Sequence, residues 1–101
     1  MIKRIVKLTF RENEIEEFER IFEESKNKIK AREGCLHVEL LQSADSPTIF
    51  FTLSLWENEA ALDAYRHSEF FIMTWAKTKV LFSEKATAWT VVLKNEADFN
   101  L

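Results

Sequence analysis

Apolar and polar residues alternate from Ile2 to Phe10, with Arg4, Val6, Leu8 and Phe10 on one side and Lys3, Ile5, Lys7 and Thr9 on the other. A period of two predicts a β-strand. The period then changes, and Ile15, Phe18, Phe22, Ser25 and Ile29 step by three and four, giving a helix with one buried stripe. Asn13 followed by Glu16 predicts a capping box at its start. Glu14, Glu16 and Glu17 at one end and Lys26, Lys28, Lys30 and Arg32 at the other complement the helix dipole. Gly34, the only glycine, falls where a left-handed C-terminal cap is needed.

Alternation resumes from Cys35 to Ser43, with Leu36, Val38 and Leu40 sharing a face. Ala44-Asp45-Ser46-Pro47 predicts a turn, because Asp and Ser bond nearby backbone and Pro cannot donate to a ladder. Ile49 to Trp56 is the most apolar strand and suits a central position. Asn58 caps a short helix through Leu62 and Tyr65, and Ser68 re-caps a segment in which Phe71, Trp75, Thr78 and Phe82 share one side. Ala86 to Leu93 reads as a last strand. Residues 1–94 form one domain, and Asn95 to Leu101 a polar tail expected to be poorly ordered.

Strand, helix, strand, strand, helix, strand predicts an α+β fold: a ferredoxin-like βαββαβ unit with a four-stranded antiparallel sheet ordered fourth, first, third, second. Both helices then cover one sheet face. The alternation assigns Arg4, Val6, Leu8, Phe10, Leu36, Val38, Leu40, Ile49, Phe51, Leu53 and Leu55 to that covered face. Ile5, Leu41, Phe50, Trp56 and Trp89 fall on the reverse, beside Lys3, Lys7, Thr9, His37, Glu39, Thr52 and Ser54. A purely solvated face rarely carries such rings as a group. Two such faces packed together give a homodimer, a dimeric α+β barrel.

Composition narrows the function. At 101 residues, with nine Phe and three Trp, the chain carries enough apolar bulk for one core. Its net charge of −3, with basic residues scattered or at a helix end, leaves no stripe to track phosphates, so no nucleic-acid partner is expected. Cys35 is the only cysteine, which excludes an internal disulfide and a cysteine-based metal cluster. Its alternation with Leu36 predicts a packed, inert thiol. The opening residues lack a signal-peptide pattern and no run approaches the ~20 apolar residues of a membrane span. A cytoplasmic location and no membrane partner are expected.

The segment LxLWENEAALDAYRHSEFF at positions 53–71, EGCL at 33–36 and the opening RIVKLTF resemble the antibiotic biosynthesis monooxygenase family of small dimeric α+β barrels. The likeness extends over about residues 2–93 as an order of elements. It implies a cofactor-independent monooxygenase acting on a small aromatic or quinol-like substrate. The sequence departs from the family's usual His-x-x-x-x-His-Phe pattern: Tyr65, Phe70 and Phe71 stand at those places. The positions matching the Asn, Trp and His of the haem-degrading branch are Val6, Tyr65 and Trp75, so haem degradation is not expected.

The candidate site follows. Tyr65 and Arg4 are the expected catalytic pair, orienting an oxyanion. Trp75, Phe71 and Val6 are the expected substrate-binding positions, although Trp75 and Phe71 at helical spacing fit a core equally well. Trp56 serves either a pocket or the dimer seam. His67 reads as solvent-facing, His37 as a reverse-face residue, and neither has the neighbours of a metal ligand. No metal or cofactor is expected. Arg4 on a covered face needs a carboxylate, a ligand anion or room to reach outward. A competing reading is a non-catalytic dimeric barrel that binds a small apolar molecule or serves in a stress response.

Overall fold

The structure, a computed structural model, describes residues 1–97; the last four residues of the expected tail lie outside them. Strand β1 (Ile2–Phe10) leads through a 3-10 turn (Glu12–Glu14) into α1 (Ile15–Lys30). Strands β2 (Cys35–Gln42) and β3 (Ile49–Trp56) form a hairpin, followed by α2 (Glu59–Arg66), α3 (Glu69–Lys79) and β4 (Phe82–Val91). The antiparallel sheet has the order β2-β3-β1-β4. This is the expected ferredoxin-like α+β arrangement, with the most apolar strand inside.

Local chemistry explains most boundaries. The Asn58 side chain accepts from Ala61 N–H (2.9 Å) and Ser68 Oγ from Phe71 N–H (3.1 Å), so both predicted caps form. The capping box does not: Asn13 sits inside the 3-10 turn, and α1 starts with no side-chain cap. Gly34 has the left-handed φ of 82°, yet the C-cap of α1 is Ala31, three residues earlier. In the β2–β3 turn the acceptor is Ser43 Oγ, which takes the N–H groups of Asp45 (3.3 Å) and Ser46 (3.2 Å). Phe82 opens β4 rather than ending α3, so the last strand starts four residues before the expected Ala86.

The largest correction concerns which way β3 faces. Ile2 pairs with Trp56, Arg4 with Ser54, Val6 with Thr52 and Leu8 with Phe50. Residues paired across an antiparallel ladder share a face. Phe50, Thr52, Ser54 and Trp56 therefore look toward the helices, and Ile49, Phe51, Leu53 and Leu55 look away, the reverse of the expectation. Trp56 and Phe50 are almost wholly buried, at 0% and 2% exposure. An irregularity between Cys35 and His37 also turns Cys35 inward and leaves Leu36 exposed.

Two separate clusters hold the helices on the sheet. Leu8, Phe10, Phe18, Ile21, Phe50 and Leu81 fill one end. Cys35, Trp56 and Leu62 fill the other. Between them the covered face carries Arg4, Val6, Thr52 and Ser54, whose side chains are too small or too polar to complete a close-packed layer.

Candidate functional site

A cavity of about 310 Å³ occupies that gap, near the lower end of ligand pockets at roughly 300–1,000 Å³. Its floor is Arg4, Val6, Thr52, Ser54, Ala86 and Ala88; its roof comes from Phe18, Phe22, Ser25 and Ile29 of α1, Leu62, Tyr65 and Arg66 of α2, and Phe71, Thr74, Trp75 and Thr78 of α3. All five positions singled out from the sequence (Arg4, Val6, Tyr65, Phe71 and Trp75) line this one cavity. Thr52, Ser54 and Arg66 join them unforeseen: the first two were hidden by the reversed facing of β3, and Arg66 is marked only by standing next to Tyr65.

Aromatic stacking fixes the roof. Tyr65 lies on the buried Trp56 at 5.1 Å between ring centroids, meets Phe71 edge-on at 5.1 Å, and Phe71 stacks on Trp75 at 5.9 Å with an 8° interplanar angle. Ser68 Oγ, besides capping α3, donates to the Tyr65 carbonyl (2.6 Å), locking the joint between the two helices that carry these rings. Trp56 is thus neither seam nor pocket wall. It is a core residue that backs Tyr65, and its Nε1 donates to Ser54 Oγ (2.9 Å).

The site's charges are few. Arg4 Nη1 donates to Thr90 Oγ1 (2.9 Å), and among the described residues Arg4 forms no ion pair. Burial, then the neighbouring charge of Arg66, push the Arg4 pKa down, with Asp63 opposing. Among the described residues no histidine, cysteine or carboxylate lines the cavity. His67 is exposed, with Nδ1 donating to the Asp63 carbonyl (2.7 Å), and His37 sits on the reverse face 3.0 Å from Glu39. Among the described residues no cluster of three or more His, Cys, Asp or Glu could hold a metal ion, and no helix is long and apolar enough to cross a membrane. Burial also raises the Cys35 thiol, consistent with an unreactive core cysteine.

Burial, with a smaller push from the Cys35 thiol, raises Tyr65 to about 12, against a relief from Arg32. At neutral pH its hydroxyl is therefore a hydrogen-bond donor and not a base. Tyr65 is the only tyrosine, so its ultraviolet titration is isolated. The expected midpoint is about 12 in the folded protein, against 10.0 for a solvated phenol. Because the fold favours the protonated form, its contribution to stability is complete below pH 10.0 and is lost as pH rises through about 12. A folded-state midpoint at the solvated value would contradict the buried placement.

Comparison with known proteins places this architecture. The family model described as antibiotic biosynthesis monooxygenase matches residues 1–73. No curated protein sequence matches the chain. Its fold is similar to that of a conserved protein from Methanosarcina mazei Go1 (19% identity, TM-score 0.88, 92% of each chain covered). It is also similar to an antibiotic biosynthesis monooxygenase (20% identity, TM-score 0.88, 94% of this chain and 100% of the other) and to a protein from Pseudomonas aeruginosa (20% identity, TM-score 0.82, 93% and 94%). These identities carry the fold alone. With the family model spanning well over half its length, the chain belongs to the antibiotic biosynthesis monooxygenase family.

Proposed function

We propose that the protein is a cofactor-independent monooxygenase of small aromatic or quinol-like substrates, working as a homodimer in a reducing, cytoplasmic setting. The observation that carries this reading is the cavity itself. It combines stacked ring walls with polar groups that are all neutral or cationic. Such a lining suits an aromatic anion. An ionised hydroquinone passes one electron to O₂, the radical pair combines at a ring carbon as a peroxide, and loss of water leaves a carbonyl. The substrate gives up four electrons in all; one oxygen atom enters the product and the other leaves as water.

The protein's part is to hold the ring and stabilise the developing oxyanion. Tyr65 O–H and the free N–H groups of Arg4 are donors of the required kind. With no base in the lining among the described residues, the substrate must lose its proton to solvent, and the cationic site lowers the substrate's own pKa. The rate is then expected to climb with pH along one limb, without the bell shape that a paired acid and base would produce.

Oxygen uptake with 1,4-naphthohydroquinone, corrected for its autoxidation, tests the proposal. Turnover should exceed the blank, with Tyr65→Phe lowering kcat on the order of a hundred-fold, the usual effect of losing one oxyanion donor. Uptake equal to the blank across a panel of quinols would end the oxygenase reading. The missing base favours a second reading, a non-catalytic barrel that binds an apolar ligand, and tight quinol binding without oxygen consumption is its signature.

A further inference from the structure

We propose that Arg4, from the floor of the cavity, and Arg66, from its roof, form an anion site, so that the ligand is an aromatic acid whose carboxylate they hold while its ring lies against Phe71 and Trp75. This rests on the reading above only in taking the cavity as the ligand site. It does not need the oxygen chemistry.

Three observations converge. First, among the described residues the charged side chains of the lining are two, and both are arginine, in a chain with seventeen acidic residues against fourteen basic ones. Second, they arrive from different elements, Arg4 from β1 and Arg66 from the last turn of α2, and Arg66 ranks next after burial among the influences that make Arg4 less willing to hold its proton. Like charges gathered at one cavity are unfavourable until an anion joins them. Third, neither guanidinium is used up. Arg4 spends one donor on the neutral Thr90 hydroxyl. Arg66 has a loose contact of 3.8 Å to Asp63, both side chains being largely in solvent (42% and 56% exposed). Asp63 lies outside the lining and can offset only one of the two positive charges, so the pair stays cationic. A carboxylate can accept two parallel N–H bonds from one guanidinium, whereas a neutral amide of the same shape cannot match both donors.

Naphthalene-2-carboxylate and its neutral isostere naphthalene-2-carboxamide are the probes, titrated calorimetrically against the full chain at neutral pH. The carboxylate is expected to bind at least about ten-fold tighter, the size of one charge-assisted hydrogen bond. Arg66→Met should bring the two Kd values within about three-fold of each other, and Arg66→Lys should restore part of the gap. Arg66 is on the surface, so these variants carry the test even if Arg4→Met fails to fold. Equal binding of both probes, binding of neither, or an undiminished carboxylate preference in Arg66→Met would overturn the proposal. Oxygen uptake separates it from the oxygenase reading. Carboxylate preference with no uptake on any quinol upholds the anion site and removes the oxygenase. Uptake on neutral quinols with no carboxylate preference does the opposite.

Discussion

Leu53→Lys is expected to split the proposed homodimer into folded single chains. The reverse face of the sheet can be read in rows across the four strands: Glu39, Leu53, Ile5 and Trp89 form one, His37, Leu55, Lys3 and Val91 the next, Leu41, Phe51, Lys7 and Thr87 a third. Leu53 sits at the centre of the apolar band that these rows make. In a lone chain Leu41 (44%) and Trp89 (46%) stay exposed at its ends. The corrected facing of β3 keeps the case for association: Ile49, Phe51, Leu53 and Leu55 lie on this face in place of Phe50, Thr52, Ser54 and Trp56, so the apolar band remains although two of the expected rings leave it. In a two-fold interface each substitution appears twice. Burying one unpaired ammonium costs several kcal/mol, so two should weaken association by more than about a thousand-fold. Sedimentation at micromolar concentration should show the parent at twice the 11.9 kDa chain mass and the variant at the chain mass, with unchanged circular dichroism. A parent already at one chain mass, or a variant that stays paired, would refute the interface.

Most of the fold was legible because most of its boundaries have a local cause. Asn58 and Ser68 announce their helices by hydroxyl and amide chemistry that needs no tertiary partner, and the period of two in Ile2–Phe10 survives intact because one face of β1 is much more polar than the other. β3 fails that condition. Phe50 and Trp56 on one side and Phe51, Leu53 and Leu55 on the other are all large and apolar, so composition gives no way to tell inside from outside. Only the pairing register resolves it. The irregularity near Cys35 acts similarly: one shifted residue exchanges Cys35 and Leu36, and nothing in the residue types marks it.

The site was legible where it rests on α2 and α3 and obscure where it rests on the sheet. Tyr65, Phe71 and Trp75 stand out as large rings on helices that fold back over the strands. Whether they enclose space or fill it depends on the floor beneath them. That floor is open because Thr52, Ser54, Ala86 and Ala88 are small, a property shared between two strands, β3 and β4, and two pairs of positions far apart in sequence. No local window contains it. Arg66 was obscured by its setting, since a basic residue in the last turn of a helix is ordinary dipole complementation until a cavity is found beside it.

Gly34→Ala is expected to be the most destabilising single methyl in the protein, and it tests how the roof is seated. The added Cβ would stand 2.4 Å from Ala61 Cβ, and the backbone there holds φ at +82°. The left-handed conformation alone costs a non-glycine residue roughly 1–2 kcal/mol. Overlap with a helix side chain adds roughly 1–3 kcal/mol. The sum, about 3 kcal/mol, corresponds to a fall in Tm on the order of 15 °C for a domain of this size. The two parts are separable. Ala61→Gly removes the overlap and leaves the backbone strain, so the double variant should recover more stability than the roughly 1 kcal/mol that a helix glycine costs by itself. The same contact positions the site: Glu57 N–H donates to the Gly34 carbonyl (2.8 Å) just before α2, the helix that carries Tyr65 and Arg66. Gly34→Ala should therefore also weaken naphthalene-2-carboxylate binding at temperatures where the variant is still folded, and Ala61→Gly should restore it. A loss in Gly34→Ala no larger than the roughly 1–2 kcal/mol of the backbone strain would mean that α2 is free to shift away from the turn and that the roof is not anchored there.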